Sequence, residues 1–147
     1  QRQMCIRDRT ALVDTALELM VAHPDIPTVL GKDVTPESEL TGRRVMEAAR
    51  QHDRIAEMAL DDFGYWLGIG LATVADVFDP DLIVVGGGVG SAGDQFLSHA
   101  REVYASQVTG SGYRPLATIK QAELGDDAGQ VGAADLARRF LLEQPGN

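Results

Sequence analysis

Leu82, Ile83, Val84 and Val85 run without a break into Gly86, Gly87 and Gly88, and no other stretch constrains the fold as tightly. A short continuous apolar run bounded by turn residues reads as a strand buried on both faces, as in a parallel sheet. Glycines at its carboxyl end take away side chains where backbone must approach something closely, and they permit positive φ. Open α/β sheets receive ligands at such strand ends. One glycine would serve a turn; three in sequence favour a loop that faces a ligand.

The segments on either side are helical or short and extended. Residues 10–22 carry Leu12, Val13, Ala16, Leu17, Leu19 and Met20 at the spacing of one helix face. His23 precedes Pro24 and so resists the α region, which ends that helix. Proline and Gly31 make the stretch to Leu40 a loop, with at most a short helical turn in it. Thr41 stands where an N-cap would precede Val45, Met46, Ala48 and Ala49, and Asp53 can cap the helix after that. Residues 53–78 form the longest periodic segment, with Ile55, Met58, Ala59, Phe63, Trp66, Leu67, Leu71, Val74, Val77 and Phe78 as its apolar set.

Gly64, Gly68 and Gly70 lie inside that segment, and each costs up to about 1 kcal/mol against alanine in a helix interior. Gly64, Gly68 and Ala72 fall at four-residue spacing, a smooth stripe that close packing of another backbone would justify better than a ligand. Asp79 and Pro80 end the helix and lead into the apolar strand. Beyond the glycines, residues 94–106 read as a helix with Phe96, Leu97, Ala100, Val103 and Tyr104 inward. Residues 108–114 are a Gly/Ser loop, 116–122 a short strand, and 123–129 a turn. The final helix, 130–142, is expected to bury Val131, Ala134, Leu136, Ala137, Phe140 and Leu141. The order helix, strand, helix, strand, helix makes the fold class α/β.

Composition excludes several functions. At 147 residues the chain is one domain by length, and its net charge of −9 opposes nucleic acid or an anionic membrane as partner. No apolar run reaches the ~18 residues of a membrane span, so a cytoplasmic protein is expected. Cys5 is the single cysteine, which rules out an internal disulfide and a self-contained zinc cage. His23, His52 and His99 lie far apart without ligand-like spacing and read as surface or capping residues. Residues 1–9 carry three arginines against one aspartate in an otherwise acidic chain. They read as a leader, non-native or disordered, with a frayed native terminus as the alternative.

Gly88, Gly90 and Gly93 complete a literal G-x-G-x-x-G between a strand and a helix. A dinucleotide fingerprint also needs an acidic residue ~20 positions on, at the end of the next strand. Ser111, Gly112 and Tyr113 stand there instead, and Glu123 is too distant. The Walker A lysine is absent as well. What remains is a glycine turn on which a nucleotide's sugar or α-phosphate can lie, with the next helix N-terminus favouring negative charge.

Several motifs in order resemble the carboxyl-terminal half of bacterial glucokinases of the ROK family (repressors, open reading frames and kinases). They are Leu67-Gly68-Ile69-Gly70-Leu71-Ala72, Phe78-Asp79-Pro80, Ile83-Val84-Val85-Gly86-Gly87-Gly88-Val89 and Gly93-Asp94. The run from Glu123 through Gly125, Asp126, Gly129 and Gly132 to Ala134 is similar to the family's closing motif in register. The resemblance covers residues 10–139 and implies an incomplete lobe of the actin-like, ribonuclease H-like ATPase fold, a central sheet with packed helices.

By that resemblance residues 10–147 are the nucleotide-binding lobe of a sugar kinase. Gly86, Gly87 and Gly88 then match the adenosine motif, and Asp79-Pro80 with the Gly68/Gly70 helix matches the segment connecting the lobes. Gly129 and Gly132 match a motif packing the last helix near the adenine. The family often has asparagine where this chain has Asp126, so a base contact there is not carried over. The first phosphate loop, the aspartate base and most sugar-binding residues belong to the family's amino-terminal half. The cysteine-rich zinc motif is expected just before residue 10, and Cys5 does not match it. The implied function is ATP- and Mg²⁺-dependent phosphorylation of glucose by the full-length parent, a homo-oligomer, with this chain inactive alone. The alternative is the ligand-sensing half of a sugar-responsive ROK repressor. A nicotinamide-dependent oxidoreductase fits the glycine spacing poorly.

Overall fold

The computed structural model describes residues 2–31, 40–86 and 96–143. In chain order the elements are α1 (Arg2–Ala22), α2 (Gly42–Arg50), α3 (Arg54–Phe78), β1 (Leu82–Val85), α4 (Leu97–Gln107), β2 (Thr118–Gln121) and α5 (Ala128–Glu143). A 3₁₀ turn, Gly125–Asp127, leads into α5. The backbone of residues 2–9 continues α1 toward the amino terminus.

Helix limits follow local chemistry. The His23 N–H donates to the Leu19 carbonyl at 2.9 Å, and Pro24 stops the ladder there. Thr41 caps α2, its hydroxyl accepting from the Arg44 N–H at 3.3 Å. Asp53 caps α3 by accepting from the Ala56 N–H at 3.1 Å. The same carboxylate accepts from the Val29 N–H at 2.7 Å and the Thr28 hydroxyl at 3.0 Å. One buried side chain therefore starts the longest helix and ties the loop after α1 to it.

α3 is the axis of the core. Its buried face is Ile55, Ala56, Ala59, Leu60, Gly64, Gly68, Leu71, Ala72 and Ala75. α1 brings Leu12 and Ala16 to the core, α2 brings Val45 and Ala49, and α4 brings Leu97, Ala100 and Tyr104. Phe63 and Phe96 meet edge to face at 5.1 Å. The small-residue stripe packs against α4. A Cβ on Gly64 would come within 3.1 Å of the Phe96 carbonyl, and one on Gly68 within 2.6 Å of the Val103 Cβ. The close approach that the stripe implies is thus made inside this chain.

β1 and β2 pair in parallel, Leu82 opposite Thr118 and Val85 opposite Gln121, with α4 as the connection between them. The Tyr104 hydroxyl accepts from the Ala117 N–H at 2.9 Å, and the Arg101 guanidinium donates twice to the Ile119 carbonyl, at 3.2 and 3.0 Å. These bonds hold α4 over the start of β2. Arg114 joins the carboxyl end of α3 to the turn after α4, donating to the Thr109 carbonyl at 3.0 Å and pairing with Asp76 and Asp79. Asp79 itself adopts the left-handed conformation that closes α3.

Burial departs from the sequence reading in three places. β1 is covered on one face: Ile83 and Val85 meet the core, whereas Leu82 is 49% and Val84 56% exposed. α3 is apolar nearly all round, and Trp66, Val74, Val77 and Phe78 lie on its uncovered side. α5, expected to bury its apolar face, leaves Val131, Leu136 and Phe140 exposed. The common cause is that these faces have no covering element among the described residues.

Candidate functional site

Because β1 and β2 are parallel, their carboxyl ends emerge on the same side of the sheet. Gly86 follows β1 there and is exposed, and Ala122 follows β2 beside it, its N–H donating to the Val85 carbonyl at 2.9 Å. A Cβ built on Gly86 would lie 3.3 Å from the Ala122 Cβ, tighter than an ordinary contact, so a side chain at 86 is disfavoured by its neighbour as well. Gly125 then turns the chain toward α5 with φ +50°, open space around it. Gly87 and Gly88 lie outside the described residues, so of the three candidate glycines Gly86 alone is placed. Ala122 is its partner that the sequence reading missed; the signal was its place as the last residue of the expected second strand, at the same end as Gly86.

The other motif positions divide between packing and exposure. Gly68 is closed by α4, whereas Gly70 faces outward with nothing near it. Gly129 and Gly132 also have open space around them, so among the described residues they pack against nothing. Asp79 and Pro80 stand at the α3–β1 junction, where Asp79 pairs with Arg114.

A surface recess of 510 Å³ opens elsewhere, between α2 and the start of α3, lined by Arg50, His52, Arg54, Glu57 and Asp61 among others. The recess lies at the amino-terminal end of α3, whereas β1 follows that helix's carboxyl end. Several of its side chains are paired: Arg50 with Glu47, Arg54 with Glu57, and His52 Nδ1 lies 3.2 Å from a Glu57 oxygen. The hydrogen bond from Gln51, and then that from Arg50, hold the Glu47 carboxyl below its ordinary value. Among the described residues no three His, Cys, Asp or Glu side chains gather as metal ligands, and no helix is long and apolar enough to cross a membrane.

The sequence profile of the ROK family matches residues 10–140. The chain belongs to the ROK family. Within that family it is 40% identical over 130 residues to a glucokinase of Streptomyces coelicolor, a match covering 87% of this chain and 41% of the relative. A crystal structure of a ROK family glucokinase from Streptomyces griseus, in complex with glucose and AMPPNP, superimposes with TM-score 0.78 at 38% identity. That superposition covers 88% of this chain and 42% of the other. A putative xylose repressor of Caldicellulosiruptor is 27% identical over 107 residues, 73% of this chain and 27% of the repressor. The chain thus spans about two fifths of the length of the glucokinases it matches. Its α/β architecture, mostly helical with a small parallel sheet, is part of the actin-like ATPase fold of the ROK glucokinase.

Proposed function

We propose that this chain is the adenosine-binding, carboxyl-terminal lobe of an ATP-dependent glucokinase. The observation that carries this reading is its likeness to a glucokinase solved with glucose and AMPPNP. The strand end fits that role, since Gly86 and Ala122 offer backbone and a methyl group where a nucleoside must lie close. Gly87 and Gly88 extend that bare loop in sequence.

In the complete enzyme, bound ATP supplies the phosphoryl group and Mg²⁺ accompanies its phosphates. This chain's own task is to hold the nucleoside and exclude water from its face. Phosphoryl transfer depends mainly on positioning and electrostatics, and the aspartate base and sugar contacts belong to the rest of the parent. The parent is a cytoplasmic homo-oligomer serving glycolysis. Neither nucleic acid nor membrane is a partner of this lobe.

Two measurements test the reading. Titration of the chain with ATP, followed by nuclear magnetic resonance, should show weak binding, with Kd about 1 mM, equivalent to roughly 4 kcal/mol. A coupled assay with glucose and ATP should show no phosphorylation by the chain alone. Turnover in that assay refutes the assignment of catalysis to another part of the parent, and an ATP-silent spectrum refutes the nucleotide lobe.

The repressor likeness favours a second reading, the ligand-sensing half of a sugar-responsive ROK regulator. The gene upstream discriminates: a helix-turn-helix supports the regulator, whereas an aspartate followed by two glycines in a first phosphate loop supports the kinase.

A further inference from the structure

Side chains alternate between the faces of a strand, and partners in a parallel pair share a face. Leu82 and Val84 of β1, with Thr118 and Lys120 of β2, therefore line one face, and all four are exposed. Ile83, Val85 and Ile119 point the other way, into the core. Continuing the alternation by one residue puts Gly86 and Ala122 on the open face, and the 3.3 Å approach of their Cβ positions shows that the two share a side. The open face thus carries full side chains as far as Val84 and Lys120. It then drops by the height of a side chain at the last rung.

We infer that Ala122 is the size-limiting position of the nucleoside seat, the floor on which the flat face of the base rests beside Gly86. The rung provides apolar contact and backbone but no side-chain hydrogen-bonding group, so it suits the face of a planar ring and not a phosphate. Gly86 alone is too narrow for a ring. Adjacent strands stand about 4.8 Å apart, and two bare positions side by side give the width. A larger residue at 122 grows over Gly86, which has no side chain to obstruct it, and fills the step. This inference rests on the nucleotide-lobe reading and adds to it a residue that no glycine motif contains.

The test uses the chain itself, titrated with ATP and observed by nuclear magnetic resonance. In the unaltered chain the amides of Gly86 and Ala122 should shift on addition of ATP. Ala122→Leu should weaken binding about tenfold or more, since the larger side chain overfills a fitted site. Thr118→Leu, which adds bulk two rungs away on the same face, should bind as the parent chain does. Thermal melting checks that the variants are folded, and Ala122→Val, with a smaller loss, replaces the leucine variant if that one does not fold. Normal ATP binding by folded Ala122→Leu or Ala122→Val overturns the inference and leaves the nucleotide lobe standing. ATP shifts confined to other parts of the chain overturn it too. No ATP response anywhere in the unaltered chain sinks the nucleotide lobe itself.

Discussion

Asp53 satisfies three separate donors with one carboxylate: the Ala56 N–H of its own helix, the Val29 N–H and the Thr28 hydroxyl. The residue is 8% exposed, so water cannot readily replace it. Losing an N-cap alone costs about 0.5–2 kcal/mol, and a buried donor left without a partner adds about 1–3 kcal/mol. Asp53→Ala should therefore destabilise the chain by roughly 2–4 kcal/mol, measured by urea unfolding. Asp53→Asn keeps an accepting oxygen for the cap and should cost less than half as much. Equal losses for the two variants would mean that the single oxygen asparagine retains does not serve the cap. The capping role is readable from the sequence because an aspartate before an apolar helical period is a local signal. The tie to Thr28 is not, because nothing local specifies which loop lies over a helix start.

Along α3, glycines of the same helix have opposite consequences. A Cβ at Gly68 would lie 2.6 Å from the Val103 Cβ and 2.7 Å from the Ala100 carbonyl, and backbone cannot retreat cheaply. At Gly70 the same atom meets nothing. Gly68→Ala gains about 1 kcal/mol of helix propensity but overpacks the α3–α4 contact, at a cost of about 1–3 kcal/mol, so the net change is destabilising. Gly70→Ala carries no such penalty and should stabilise by up to about 1 kcal/mol. Paired thermal melts read the two signs directly, and stabilisation by both substitutions would show that α4 does not sit on the stripe. The four-residue spacing announces that some neighbour comes close; it does not say which. For α5 the reverse limit applies: periodicity identifies the apolar face of a helix without revealing whether anything covers it. Hence the helix was foreseen and its exposure was not.

At the scale of the whole molecule, one organised core coexists, among the described residues, with three uncovered apolar faces: the outer side of α3, the open face of β1, and α5. Trp66 is 63% and Phe78 74% exposed, values more typical of a surface awaiting a partner than of a free monomer's exterior. The α/β class and the strand end were readable because a continuous apolar run leading into glycines is a strong local signal. That only part of the parent is present came from the family resemblance and not from periodicity, since each segment looks the same with or without its neighbours. In isolation these faces should drive self-association, while the net charge of −9 opposes it by long-range repulsion. Salt screens that repulsion, with a Debye length falling from about 10 Å at 0.1 M to 3 Å at 1 M, and leaves the hydrophobic attraction in place. The mean mass from light scattering should therefore rise with added sodium chloride. Combining Trp66→Lys with Val77→Lys should lower it at every salt concentration, although the added positive charges also reduce the repulsion. The two effects of lysine oppose each other, so a fall in mass isolates the apolar contribution. A chain that stays monomeric at high salt would refute the self-association, and equal association after both substitutions would place the contact away from α3.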